Sequence, residues 1–398
     1  MAHPVDALQQ FGLKAMAFFL PFNMTFVYPF CILVIACQFI KKDFFLRFKV
    51  SLISPLVISF TLFFFIHIFG LGWTEDLNNG IETIGRVIPY LFFSFFWLAA
   101  KYENQDSYMF SFIAGTVFCS LLAHYNYFQI QYPHILFEGI ISGKRDGLET
   151  SPFLSHIMYS PILALSIYLL LRSLIINKSS INIYFFKFFC LLLLFSNLSF
   201  STGRSGFLLL IFLFACLLFE TSRNYKLALL KIITLIPIVI FLAYQIPVIK
   251  NRVDAGINDI NTFSVQPKSS LGLRYVFSSH AFEMFKENPL VGVGTGDFTK
   301  EYKNYVKEEY SDLPTTNNPH NQYLMILSTL GIVGFIIMIL MFGTSYKYGD
   351  KRAKSILIGY LAICFFESYL WRSNTTMAFL YFMAIFCQRQ SFLFSSNK

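Results

Sequence analysis

Runs of apolar residues, separated by short polar stretches, recur along nearly the whole of this 398-residue chain. A helix needs about 20 residues, at 1.5 Å each, to cross the hydrocarbon core of a bilayer. The runs long enough to span, or nearly so, are 11–22, 24–40, 50–72, 84–100, 108–128, 153–171, 187–201, 206–221, 228–247, 320–343, 355–371 and 374–388. Pro21 and Asn23 mark either a tight turn between the first two runs or a kink in one long helix. Residues 248–319 break the pattern, being too polar to span. Within them Val253, Ile257 and Ile260 form one stripe, with Asp254, Asn258 and Asp259 on other faces. Residues 270–286 read as a second loop helix, with Ser269 or Ser270 as cap. The predicted fold is an all-α polytopic integral membrane protein of about twelve transmembrane helices. About nine spans fall in 1–247, a large helical loop in 248–319, and three spans with a short tail in 320–398.

Composition agrees: 56% of residues are hydrophobic and 13% charged. No soluble core of this size buries so much apolar surface, so the bilayer is the solvent. The net charge of +9 then reads as topology, not as affinity for nucleic acid, because no basic run with interleaved aromatics lies outside the spans. Lys41, Lys42, Arg47 and Lys49, then Arg172 and Lys178, then Arg223 and Lys226, then Lys347, Lys351, Arg352 and Lys354 all fall on one side by helix parity. Positive residues accumulate on the cytoplasmic side. Both termini are therefore expected in the cytoplasm and the 248–319 loop in the periplasm, as in a multi-pass protein of a bacterial inner membrane. The N-terminal run has no basic leader or small-residue cleavage site and is expected to stay as a first helix. Seven cysteines lie in or beside apolar runs without CxxC or Cys/His spacing, which argues against disulfides and zinc.

The outward side carries the candidate chemistry. Arg204 sits in Ser201-Thr202-Gly203-Arg204-Ser205-Gly206, held near the bilayer boundary among small residues that leave room for a ligand. Such an arginine commonly snorkels to lipid phosphates, but its fork also suits bidentate phosphate binding and never loses charge. Arg274 opens the second loop helix; alone, a loop arginine is usually a solvated charge. His320, in Asn317-Asn318-Pro319-His320-Asn321, stands where the loop re-enters the membrane, with Pro319 able to start the helix. A helix-start histidine is more often a structural hydrogen-bonder, yet this one has polar neighbours and a pKa range fit for general-base work. Arg372 and Lys144-Arg145-Asp146 lie on the same side, as phosphate contacts or interfacial anchors, and Arg86 is a similar case. His280 reads as packing. Val291-Gly292-Val293-Gly294-Thr295-Gly296 fails the dinucleotide and P-loop patterns. It reads as a tight turn that lets the backbone approach a head group. No DxD pair or carboxylate cluster suggests a metal-held nucleotide sugar.

Arginines beside a histidine at an interface suit a lipid-linked pyrophosphate, with its tail in the bilayer and its charge at the surface. Arg204 and Arg274 would stabilise the charge growing on the leaving group, in place of a divalent metal. His320 would take a proton from an acceptor hydroxyl attacking the anomeric carbon, inverting it. No cofactor is needed, since the pyrophosphate linkage is the energy source.

Several features together resemble the O-antigen ligase (WaaL) family. They are Arg204 in its small-residue setting, Asn251-Arg252 with Asp254 and Asp259, the Leu271-Gly272-Leu273-Arg274 helix, Pro319-His320-Asn321 followed by an apolar helix with Gly331, and the Trp371-Arg372 turn. The resemblance runs from about 200 to 390, and their order and spacing carry it more than any one motif. It implies a GT-C-like membrane fold of about twelve helices. It also implies transfer of O-antigen from undecaprenyl pyrophosphate to a lipid A–core sugar, with membrane lipids as surroundings. Arg204 and Arg274 match the family's essential arginines and His320 its essential histidine; Arg145, Arg372 and Asn321 are further substrate-binding candidates. Many members carry a second histidine nearby, and residues 316–319 supply none. O-antigen polymerases and protein O-oligosaccharyltransferases share these features. Polymerases often place Gly eleven positions after a loop arginine, whereas Arg145, Arg252 and Arg274 are followed there by His156, Phe263 and Phe285, which favours a ligase. A transporter would put its long connection between two six-span halves, on the cytoplasmic side; here the long loop follows span nine, outside.

Overall fold

The computed structural model describes residues 4–131, 151–201, 203–245, 270–309 and 313–388, with a few more between 249 and 258. Each apolar run falls on a helix, and no strand occurs among the described residues. Helices α1 (Pro4–Phe19) and α2 (Met24–Ile40) are separate, because the side chain of Asn23 caps α2 by accepting the Thr25 N–H at 3.1 Å. Helix α3 (Phe44–Ser51) leaves α2 at 114°. It exposes Phe45 and Leu46 beside Arg47 and Lys49, the form of a short helix lying along an interface.

Helix α4 (Pro55–Phe69) is followed by α5 (Leu77–Leu91) and α6 (Phe93–Ala99), one run interrupted just after Pro89. Then come α7 (Gln105–Gln131), α8 (His156–Ile176), α9 (Ile181–Phe200), α10 (Arg204–Thr221) and α11 (Tyr225–Tyr244). The polar segment contributes α12 (Ser270–Glu287) and α13 (Phe298–Glu309), and α14 (Gln322–Tyr348), α15 (Lys351–Ile363) and α16 (Ser373–Phe386) follow. Among the described residues seven helical runs are long and apolar enough to cross a membrane, or eight if the bent α2–α3 pair is one span. The chain is thus an all-helical, polytopic membrane protein. Phe185, Phe186 and Phe189 on α9, and Ile233 and Phe241 on α11, stand exposed, as lipid-facing side chains do. Helix α16 is buried from Asn374 to Phe386 and packs on α5, α6, α8 and α15. Buried on all sides, it is the centre of the bundle.

Two departures from the expected boundaries shape the site. The run expected over 355–371 ends as a helix at Ile363, so Glu367 and its neighbours form a turn. Helix α14 begins at Gln322 with Asn321 as its cap, not at Pro319. The two helices meet at one end through the Gln322 N–H and the Cys364 carbonyl (2.8 Å), and at the other through the Gly349–Asp350 turn. Yet α14 has 27 residues and α15 has 13, about 40 Å against about 20 Å. The difference is absorbed at Gly331, whose φ of 61° breaks α14.

The Gly-rich turn explains that break. Residues 289–297 thread between the start of α5 and the broken α14. The Val293 and Gly294 N–H groups donate to the Ser328 and Thr329 carbonyls (2.9 and 3.0 Å). The Asp297 carboxylate, 3% exposed, accepts the Glu75 and Asp76 N–H groups at 2.8 and 2.7 Å. A Cβ on Gly292 would collide with the Thr329 and Leu330 backbone, and one on Gly331 with Leu290. These glycines let backbone approach backbone within the protein, where the sequence suggested approach to a head group. From this anchor α12 and α13 fold back over the bundle. Val276, Phe277, Ala281 and Met284 pack with Phe298, Tyr302 and Val306, and rest on Met325 and Trp371.

Candidate functional site

The site grows from a buried acid. Glu367, 1% exposed at its side chain, lies in the turn between α15 and α16. Its Oε2 meets His320 Nδ1 at 2.7 Å, its Oε1 meets Arg372 Nη2 at 3.1 Å, and Oε1 also accepts the Ser368 N–H at 3.0 Å. Burial alone raises the pKa of this carboxyl. The hydrogen bond from His320 and the charge of Arg372 outweigh burial and bring it below its ordinary 4.5. An ionised carboxylate only accepts, so His320 Nδ1 carries the proton donated to it. That fixes the tautomer and leaves Nε2 as the basic nitrogen.

His320 is held from three other directions. It has a φ of 52°, left-handed and rare for a residue with a Cβ. Its backbone N–H donates to Asn318 Oδ1 at 2.9 Å. Its ring stacks on Phe277 at 5.7 Å between centroids and 24° between planes. Phe277 stands one turn beyond Arg274 on α12, on the same face. Arg274 is thereby carried to the histidine's side by the loop helix.

Tyr369 ties the remaining groups together. Its hydroxyl, deeply buried, lies near the Ser205 hydroxyl and within the fields of Glu367, Arg372 and Arg274. Burial is the largest influence on it and raises its pKa. Ser205 follows Arg204, which starts α10 with its side chain exposed. Arg204, Arg274, His320 and Arg372 thus converge on one end of the bundle. The small residues around Arg204 serve packing more than space: a Cβ on Gly206 would lie 2.6 Å from the Ser160 carbonyl of α8. Arg172–Glu220, Lys41–Asp6 and Arg352–Asp106 pairs mark the opposite end.

Other candidates sort differently. The Asn321 side-chain oxygen accepts the Tyr323 and Leu324 N–H groups at 3.0 and 3.1 Å, so it is committed to capping α14. Arg145 lies outside the described residues, as do Arg252, Asp259 and, from the first loop stripe, Ile260. Arg86 stacks on Trp371, 3.7 Å from the ring centroid, and pairs with Glu82. His280 packs between Tyr302 and Tyr305. Glu367 and Tyr369 escaped the sequence reading because they sat inside a presumed span. The available signal was a carboxylate in an apolar run, which marks a functional position by default.

Among the described residues no group of three or more His, Cys, Asp or Glu side chains could hold a metal ion. Beside the site, an apolar cavity of about 290 Å³ opens between α8, α9, α10 and α11. Phe207, Leu210 and Phe214 of α10 line it, the first of them one turn from Arg204.

Residues 188–339 match the model of a family described as O-antigen ligase. That stretch holds Arg204, Arg274 and His320, and leaves Glu367, Tyr369 and Arg372 beyond its end. No curated protein matches the chain.

Proposed function

We propose, on the premise of the match of residues 188–339 to the O-antigen ligase family, that the chain is a glycosyltransferase of the bacterial inner membrane. It joins O-antigen, carried on undecaprenyl pyrophosphate, to a sugar hydroxyl of lipid A–core at the periplasmic face. The observation that carries this reading is the buried Glu367 carboxylate bridging His320 and Arg372, with Arg274 and the start of α10 beside it.

Each group has a task its chemistry suits. Arg204 and Arg274, with no carboxylate partner among the described residues, take the two phosphates. Arginine offers a planar fork and a permanent charge, so the charge growing on the leaving oxygen meets fixed donors. The polyprenyl chain leaves that head group toward the membrane through the apolar cavity that starts one turn from Arg204. His320 Nε2 receives the acceptor's proton as its oxygen attacks the anomeric carbon. The new C–O bond forms from that oxygen. The old C–O bond breaks with its electron pair going to the pyrophosphate, and the carbon inverts. Glu367 steadies the imidazolium formed. Arg372 offsets the carboxylate's charge and faces the same space. No divalent metal enters this scheme, because arginines carry the phosphates.

The test is transfer by the purified protein in nanodiscs, with a lipid-linked glycan donor, a lipid A–core acceptor and a chelator present. Joined product is expected from the wild type and none from His320→Ala. Lipopolysaccharide from a deletion strain separates the ligase reading from a polymerase. Loss of a ligase strands polymer on its carrier, and loss of a polymerase leaves single repeat units on the core. The second pattern would overturn the assignment.

A further inference from the structure

A second polar feature borders the site and has no part in the scheme above. It is a small cleft lined by Asn79, Glu82, Thr83 and Arg86 of α5, Thr299 of α13, and Asn317 and Trp371. The cleft as a whole has room for about 20 Å³, roughly that of one water or one hydroxyl. The Trp371 indole is 7% exposed, and its Nε1–H finds no hydrogen-bond partner among the described residues. A buried donor left unsatisfied costs free energy and marks a place where a partner belongs.

The cleft differs from the arginine side in charge. Arg86 is already neutralised by Glu82 and lies over the Trp371 ring. Arg204 and Arg274 have no such partner. An anion is therefore drawn to Arg204 and Arg274. The α5 cleft offers amides, hydroxyls and a balanced ion pair, which both donate and accept and suit an uncharged polyol. The cleft is also wired to the reacting histidine. Asn318 donates to Asn317 Oδ1 at 3.1 Å and accepts the His320 N–H at 2.9 Å. Trp371 precedes Arg372, which holds Glu367. A sugar that places one hydroxyl there is linked to the base through Asn317 and Asn318.

We propose that this α5 cleft anchors the acceptor saccharide by taking one of its hydroxyls, which Asn79, Asn317 and Trp371 hydrogen-bond while His320 deprotonates a neighbouring one. The assignment rests on the transferase reading of the same site. It adds that donor and acceptor are recognised by separate elements, the donor by α10 and α12, the acceptor by α5 and the segment before α14.

Two measurements on the full-length protein in nanodiscs test it. The first is equilibrium binding of deacylated core oligosaccharide, followed by tryptophan fluorescence. The second is steady-state transfer with both substrates varied. Asn79→Ala and Asn317→Ala, on different elements, are expected to weaken oligosaccharide binding and raise the acceptor KM at least tenfold each, with the donor KM unchanged. Arg274→Ala is expected to leave oligosaccharide binding at the wild-type value. Variants are compared only where their melting temperature matches the wild type; Glu82→Gln, at an exposed position, is the reserve. Wild-type binding in all correctly folded variants overturns the subsite while leaving the transferase reading in place. Absence of transfer by the wild type, with oligosaccharide binding still dependent on Asn79 and Asn317, sinks the transferase reading and leaves the subsite.

Discussion

Replacing Glu367 by glutamine keeps the shape of the side chain and exchanges one acceptor oxygen for a donor. In the native site Oε2 accepts from His320 Nδ1 at 2.7 Å, while Oε1 serves Arg372 and the Ser368 N–H. Glutamine can keep its carbonyl on the Arg372 side, which turns its NH₂ toward His320. The imidazole must then accept at Nδ1 and carry its proton on Nε2, the nitrogen that is to receive one. A hydrogen bond to a charged group is worth about 1.5–3 kcal/mol. At about 1.36 kcal/mol per tenfold in rate, its loss alone costs roughly ten- to two-hundredfold. Adding the wrong tautomer brings the loss into the range of about 10²–10⁴ that general-base catalysis supplies. Folding should suffer less, because Arg372 and His320 are each about one-fifth exposed at their side chains and can be partly hydrated. The assay is transfer by purified protein with both substrates varied. The expected result is a kcat lower by about 10²–10⁴ with the donor KM unchanged. A Glu367→Gln protein turning over within about threefold of the wild type would refute the tautomer reasoning.

Arg204→Lys and Arg274→Lys keep the charge but lose the two-pronged grip. Each is expected to raise the donor KM about tenfold or more, measured with the lipid-linked glycan. Gly331→Ala forces a Cβ into the Leu290 backbone at a φ of 61°; thermal melting should show a loss of at least about 1–3 kcal/mol. Asp297→Ala leaves the Glu75 and Asp76 N–H groups without their acceptor. Proteolysis within α12 and α13 should accelerate about tenfold or more as the loop lifts, at about 1.5–3 kcal/mol per lost charged hydrogen bond. The pKa of Glu367 lies below its ordinary 4.5 in the folded protein. The stability it contributes is therefore complete above that value and is lost as pH falls through the folded pKa. In melts from neutral to acid pH, wild type and Glu367→Gln should converge only below about pH 4.5.

The helical, membrane-spanning character was legible because spans write themselves as apolar runs, and a bilayer admits few alternatives; the expected count of about twelve was not, since among the described residues seven or eight runs are long and apolar enough to cross. Arg204, Arg274 and His320 were legible by residue chemistry and by falling on one side by parity. Their partners were not. Glu367 and Tyr369 were hidden by a boundary error: an apolar run continued past Ile363, though the helix stops there. The Gly-rich segment was misread because its target is the α14 backbone, more than thirty residues away in the chain. Nothing local in the sequence specifies that approach. The small residues around Arg204 similarly mark a packing seam against Ser160, a pairing visible only once α8 and α10 are side by side. The cleft beside α5 combines four distant segments and has no linear signature at all.

The central claim is that His320, oriented by Glu367, acts on a hydroxyl while the arginines hold a lipid pyrophosphate. The most direct measurement is one experiment with purified His320→Ala in nanodiscs, scoring binding of the lipid-linked donor and transfer to the lipid A–core acceptor side by side. The account predicts donor binding at the wild-type level and no joined product. Transfer at the wild-type rate would contradict it.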